Sequence, residues 1–163
     1  MIPADVPLLT IVTADLTSDE HCSYIIAFVN EYRCDPMGGS LGAIAKDSEQ
    51  ELLDGLRNHP SAVVYFVCLD NAVTGMAVCF IGFSTFKAKR LLNIHDLILF
   101  KRYRNKGIGT WFINKIAEEV TNKGYCKLTL EVRTDNESAK IVYRKAGFSP
   151  CKNPMEFWIK ELS

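Results

Sequence analysis

The sharpest chemical feature of the chain is the run Arg104-Asn105-Lys106-Gly107-Ile108-Gly109-Thr110. Two glycines one residue apart let a backbone turn tightly and present its N–H groups. Where such a turn leads into a helix, those groups and the helix N-terminus suit an anion such as a pyrophosphate. Three readings of the run compete. A Walker loop ends in Gly-Lys-Ser/Thr, and Gly109-Thr110-Trp111 does not supply that ending. A dinucleotide loop has a third glycine where this chain has Phe112, and it follows its strand directly, whereas Lys101 to Lys106 intervene here. Glu131 nevertheless stands at the distance of a ribose-binding acid. The third pattern, Arg/Gln-x-x-Gly-x-Gly/Ala, is met in full by Arg104 to Gly109. Taken alone, that pattern also fits an ordinary helix entry.

A second element begins thirty-two residues after Arg104, at Asn136-Glu137-Ser138-Ala139-Lys140-Ile141-Val142-Tyr143-Arg144-Lys145-Ala146-Gly147-Phe148. Asn136 sits where an N-cap would sit. Tyr143 shares a helix face with Ala139, Val142 and Ala146, the pattern of a core tyrosine. Upstream, strict alternation puts His95, Leu97 and Leu99 on one face of a strand and Asp96 on the other.

These residues need a scaffold, and the chain supplies mixed α and β elements. Leu8 to Thr13 reads as a strand. Ser18 to Tyr32 reads as a helix with a Ser18 cap and Cys22, Ile25, Ile26 and Val29 at helical spacing. Asp35 to Gly39 is a loop broken by Pro36 and two glycines. Ser48 to Leu56 reads as a second helix, opened by a Ser48/Glu51 capping box. Ala62–Leu69 and Val73–Phe83 form a hairpin around Asp70-Asn71, and Leu91–Phe100 is a third long strand. Gly107 to Asn122 is an amphipathic helix, Lys127 to Val132 a strand, and Glu137 to Lys145 a helix closed by Gly147. Met155 to Ile159 reads as closing strand material. Residues 91–132 therefore make a β-α-β unit.

The glycine run and the Asn…Ala…Tyr…Gly-Phe element, joined by a helix and a strand, together resemble the GCN5-related N-acetyltransferase (GNAT) superfamily. The resemblance covers roughly residues 90–150. It implies a mixed α/β fold with a mostly antiparallel central sheet, splayed central strands and about four flanking helices. It implies one N-acetyltransferase domain over residues 1–163, with acceptor-side helices in 1–60 and an acetyl-CoA-binding core in 90–150. Within the superfamily the chain is most similar to small-molecule amine acetyltransferases of the diamine type.

The resemblance also implies roles. Backbone groups of Leu97, Ile98 and Leu99 would meet the acetyl and pantetheine arm, one N–H polarising the thioester carbonyl. Arg104, Asn105, Lys106, Gly107, Ile108, Gly109 and Thr110 would hold the pyrophosphate, chiefly through N–H groups. Asn136 would bind the pantetheine amide, in place of or beside its cap. Tyr143 would donate a proton to the departing thiolate, since a phenol of pKa about 10 is protonated at neutral pH. His95 corresponds to a position where relatives carry glutamate, and an imidazole of pKa near 6.5 suits a general base. Asp35, Met37 and Asp96 would bind the acceptor, with Ser84-Thr85-Phe86 as a further wall. The reaction implied is direct acetyl transfer from acetyl-CoA to a small primary amine in a ternary complex. Acetylation of a protein or peptide, and a non-catalytic acyl-CoA-binding module, are the alternatives.

Composition agrees with one globular domain. The 163 residues are 48% hydrophobic and 23% charged, which excludes a disordered tail, a collagen-like chain and a coiled coil. The longest apolar run, Ala62–Leu69, is far short of a membrane span, and no basic region precedes an apolar stretch at Met1–Asp5, so neither a span nor a signal peptide is expected. Six cysteines without a C-x-x-C pair, and three scattered histidines, point to reduced thiols in the cytoplasm and no metal site. Net charge is zero but divided: residues 1–60 hold ten acids and three bases, net −7, and the rest nine acids and sixteen bases, net +7. Seven bases lie between Lys87 and Lys106. The cofactor's phosphates account for that stretch, so no nucleic-acid partner is expected. A homodimer is expected from the resemblance.

Overall fold

The computed structural model describes residues 8–162. Met1 to Pro7, on which the reading of a missing leader partly rests, and Ser163 lie outside the described residues. Five strands form one sheet in the order β1 (Leu9–Thr13), β2 (Ala62–Leu69), β3 (Ala72–Ser84), β4 (Lys89–Leu99) and β5 (Leu128–Leu130). The first three pairings are antiparallel and the β4–β5 pairing is parallel. Four helices flank it: α1 (Asp19–Cys34), α2 (Lys46–Asn58), α3 (Ile108–Asn122) and α4 (Glu137–Lys145). This is the mixed, mostly antiparallel architecture that the sequence implies.

Each sheet face buries one layer. Tyr65, Val67, Ala77, Cys79, Leu92 and Ile94 pack against Ile108, Phe112, Ile113, Ile116 and Val120 of and around α3. Val64, Phe66, Met76, Val78 and Ile98 pack against Ile25, Phe28 and Leu56 of α1 and α2. Burying each Val, Leu, Ile, Phe or Met side chain among them is worth about 1.5–3 kcal/mol. The tight β2–β3 turn follows from Asp70 and Asn71, both at positive φ, as mirror-type hairpin turns require.

Helix α1 starts as expected, with the Ser18 hydroxyl accepting from the His21 N–H, and Asp19 and Glu20 favour its N-terminal dipole. Helix α2 departs from expectation. It begins at Lys46 behind Ala45, so Ser48 lies inside the first turn rather than at the cap. Acidic Asp47 and Glu49 in that first turn do the stabilising instead.

One irregularity in β4 organises everything that follows. Val78 pairs with Asp96 but Cys79 pairs with Ile94, so His95 is an extra residue, a β-bulge. The bulge reverses the alternation. Leu92, Ile94, Leu97 and Leu99 all belong to the α3 face, whereas Ile98 joins the α1 face. Asp96 stands opposite Val78 on that second face, and the His95 ring meets Phe80 there at 5.4 Å. The grouping of His95 with Leu97 and Leu99 is thus corrected.

The bulge also switches which backbone groups point where. Before it, the Leu92 N–H donates toward the β5 side, to the Lys127 carbonyl. Beyond it, the Phe100 N–H donates to the Thr74 carbonyl, in β3. Alternation then turns Ile98 toward β3, and Leu97 and Leu99 toward the β5 side. Pairing with β5 ends at Ile94–Leu130, so those last two face a gap.

At the C-terminus, residues 149–162 form neither helix nor strand. The expected strand at Met155–Ile159 is therefore absent, because among the described residues no strand lies against it to complete a ladder. Its Met155, Phe157, Trp158 and Ile159 side chains are exposed.

Candidate active site

The gap between β4 and β5 opens into a cavity of about 450 Å³. It brings together the carboxyl half of β4 (Leu97, Ile98, Leu99), the glycine loop, the start of α3, α4 and the end of α1. Arg104, Asn105, Gly107, Gly109, Thr110, Asn136, Tyr143, Asp35 and Met37 all line it, as the sequence reading expects. Four expected residues do not. Ile108 is buried in the core at 4% exposure, the Lys106 ammonium lies over the Tyr103 ring, and His95 is exposed beside Phe80. Asp96 is not in the wall, but its charge acts on two residues that are.

The anion-binding end is built from backbone. Gly107 caps α3 at φ 79, a conformation that favours glycine, and no side chain caps this helix. Ser18, Asp35 and Asn136, by contrast, cap the other helical turns of the site's surroundings. The first N–H groups of α3 are therefore left for a ligand. A Cβ on Gly109 would meet only Leu99 and Val142, each at an ordinary 3.5 Å. The chain's own packing does not demand glycine there. What glycine leaves is open backbone at the cavity wall, which fits a diphosphate on the helix N-terminus. With the Leu97 and Leu99 N–H groups in the gap, the donor set matches an acyl-CoA.

The Arg104 side chain turns away from the loop that its backbone opens. Its Nε donates to the Leu99 carbonyl at 2.9 Å and its Nη1 to Asp35 Oδ2 at 2.7 Å. Its guanidinium is thus committed to protein partners. Asn136 is an N-cap, its Oδ1 accepting from the Ala139 N–H at 3.1 Å, and its side chain also borders the cavity.

Three acid–base groups meet at the inner end. Burial pushes the Tyr143 phenol above its ordinary value, and the nearby Tyr32 and Asp96 push the same way. Burial likewise raises the Tyr32 phenol, with Asp96 adding to it. Burial raises the Asp96 carboxyl too, and His95 partly opposes that. Both phenols stay protonated at neutral pH, and Asp96 is biased toward holding a proton. Asp35, which lines the cavity, differs from Asp96: it is held low by the hydrogen bond from Arg104 and then by that from the Met37 N–H.

Sequence reasoning missed Tyr32. The signal was available, because Tyr32 lies one turn beyond Phe28 on the buried face of α1.

Residues 14–148 match the profile of the Acetyltransferase (GNAT) family. A thialysine N-epsilon-acetyltransferase of Bos taurus is 32% identical over 75 residues, 46% of this chain and 44% of that protein. The protein of the same name from Mus musculus is 30% identical over 115 residues, 63% of this chain and 65% of that one. The chain therefore spans about half to two thirds of the length of these relatives. Among solved structures, an aminoglycoside acetyltransferase from an uncultured soil metagenomic sample, in complex with sisomicin, superposes with a TM-score of 0.76 at 17% identity, covering 94% of this chain and 97% of that one. A probable acetyltransferase gives 0.78 at 20% identity, covering 94% and 99%. Those two likenesses are of fold. With the profile spanning most of its length, and its glycine loop and Asn136–Phe148 element on one cavity, the chain belongs to the GNAT acetyltransferase family.

Proposed function

We propose that this chain moves an acetyl group from acetyl-CoA to a primary amine of a small molecule, by direct attack in a ternary complex. The observation that carries the reading is the single cavity shared by the uncapped N-terminus of α3, the unpaired half of β4 and Tyr143. Acetyl-CoA supplies the thioester acyl group. The N–H groups of α3's first turn hold the diphosphate, with Gly107 and Gly109 leaving room for it. The Leu97 and Leu99 N–H groups hold the pantetheine arm and polarise the acyl carbonyl. The Asn136 side-chain amide nitrogen donates to the same arm.

An alkylammonium ion is not a nucleophile, so a base must take its proton. Asp96 is better suited than His95 or Asp35. Its carboxyl is half-buried and raised by burial, a state that favours accepting a proton. Asp35 is engaged by Arg104, and His95 is an exposed ring against Phe80, whereas the charge of Asp96 acts on Tyr32 and Tyr143 in the cavity wall. Tyr143 keeps its proton until the thiolate departs, then donates it. Tyr32, beside both, lines the path of the amine. Met37 forms an apolar wall.

The reading includes a cytoplasmic homodimer. Met155, Phe157, Trp158 and Ile159 are apolar surface that a second copy would cover. The aromatic pair Phe157 and Trp158 carries roughly 150–250 Å² each. Doubled across a two-fold axis, these two supply roughly 600–1,000 Å², and Met155 and Ile159 add to it toward the roughly 1,200 Å² at which stable interfaces begin. Light scattering that returns a monomer at every concentration removes this part.

Thermal unfolding with acetyl-CoA, CoA, NADH and ATP, each alone, tests the core of the reading. A ligand at about 100 times its Kd adds roughly 2.7 kcal/mol, on the order of 5–10 °C for a chain of this size. Shifts with acetyl-CoA and CoA are expected, followed by thiol release with a panel of primary amines. A shift with NADH alone would return the glycine loop to a dinucleotide.

A further inference from the structure

Arg104 is the meeting point of the acidic and basic halves of the chain. Its backbone opens the glycine loop. Its side chain leaves that loop and reaches the acceptor side: Nε to the Leu99 carbonyl at 2.9 Å, Nη1 to Asp35 Oδ2 at 2.7 Å, and Nη2 3.7 Å from Glu31 Oε1. The side chains of Asp35 and Arg104 are only 11% and 33% exposed. Asp35 in turn organises the loop beyond α1. Its Oδ1 accepts from the Met37 N–H at 2.9 Å, and its carbonyl accepts from Gly38 and Ser40. Gly38 then rests directly on the Tyr32 carbonyl, where a Cβ would stand 1.9 Å away. Glu31 closes a second tie, accepting from the Lys101 N–H at 3.1 Å.

We propose that Arg104 is a positioning residue that couples the two subsites: filling the cofactor site fixes the Asp35–Leu41 loop and, through it, Tyr32 on the acceptor side. The proposal rests on the acetyl-CoA reading above. The coupling is positive because the guanidinium already faces Asp35 and Leu99. A diphosphate on the N–H groups of α3 immobilises the backbone of Arg104 without needing its side chain. A charge-assisted bond of this length is roughly twice as strong as a neutral one, so a fixed Arg104 holds Asp35 in place. By reciprocity the amine tightens the cofactor by the same factor.

The test is amide hydrogen exchange of residues 35–42 with and without CoA, in the wild type and in Asp35→Asn, Arg104→Lys and Arg104→Met. CoA affinity and melting temperature are measured on the same samples. In the wild type, CoA should slow exchange at Met37, Gly38 and Ser40 by about tenfold. Asp35→Asn should bind CoA within a few-fold of wild type yet lose that slowing. Arg104→Lys keeps the charge but cannot reach Leu99 and Asp35 at once, so it too should lose it. A merely structural role would change the unliganded rates and leave the CoA-dependent slowing intact. If CoA binds but leaves the loop's exchange unchanged, or quickens it by drawing Arg104 onto phosphate, the coupling is wrong. If CoA does not bind the wild type at all, the cofactor reading fails and takes the coupling with it.

Discussion

Replacing Asp96 by Asn should make the protein more stable and less active. The carboxylate lies half-buried against β3, burial raises its pKa, and no described side chain donates a hydrogen bond to it. An acid whose folded pKa is raised binds its proton more tightly in the native state than in the unfolded chain. Its ionised form therefore costs stability at every pH above the folded value, and the cost vanishes below the unfolded value of about 3.9. Asparagine is neutral at all pH and removes the cost. A gain of about 1 kcal/mol at pH 7 is the expected order, or about 2–4 °C for a chain of this length. Melting curves of both proteins from pH 7 to pH 4 should converge as Asp96 in the wild type takes up its proton. Turnover should move the other way, falling about 10²–10⁴-fold with the loss of a general base. Thiol release at saturating acetyl-CoA measures it, and the acid limb of the wild-type pH profile should disappear in the variant. A variant that melts lower at pH 7, or turns over normally, would refute the assignment of Asp96.

Tyr143→Phe should keep CoA affinity and lose about 10²-fold in turnover, since the ring is retained and only the proton is removed; unchanged turnover would end its role as acid. Gly109→Ala should melt at or slightly above the wild-type temperature, because helix interiors favour alanine by about 0.5–1 kcal/mol and the new methyl meets only ordinary contacts. Its CoA affinity, read by calorimetry, should fall at least tenfold. Gly75→Ala carries the opposite signature. Its Cβ would stand 2.2 Å from a Leu99 methyl and 2.9 Å from the Ile98 carbonyl. Overpacking of this kind costs about 1–3 kcal/mol, visible as a lower melting temperature, and it displaces the strand that carries the donors.

The glycine loop and the Asn136–Phe148 element are legible in the sequence because they depend on local backbone demands. Gly107 must adopt a positive φ and Gly147 must end α4 the same way, and glycine announces both. Strands β2 and β3 are equally plain, as long apolar runs on either side of Asp-Asn. The bulge at His95 leaves no such mark. A period-two reading assumes unbroken alternation, and only the pairing with β3 reveals the extra residue. The partners of the Arg104 side chain are hidden for a related reason. Its place in the loop motif speaks for its backbone, whereas Asp35 and Glu31 lie about 70 residues away in sequence. The C-terminal segment has the composition of a strand, yet composition cannot supply a neighbour to pair with.

The extra residue in β4 also separates two kinds of genetic change at one position. His95 is exposed with its ring against Phe80, so replacing it with another residue should be mild. Deleting it would let β4 pair with β3 in unbroken register. Leu97, Ile98 and Leu99 would keep their partners on β3, but the bend and added twist that a bulge gives its strand would be lost, and with them the parting of β4 from β5 beyond Ile94. No side chain with acid, base or charge would have been altered at the reacting end, yet the gap that leaves the Leu97 and Leu99 N–H groups unpaired would narrow. Position 95 should therefore tolerate substitution and reject deletion, so that the count of residues in this strand matters more than their identity there. A variant library holding both classes would record that as a single-codon gap never recovered under selection, beside a column of freely exchanged residues.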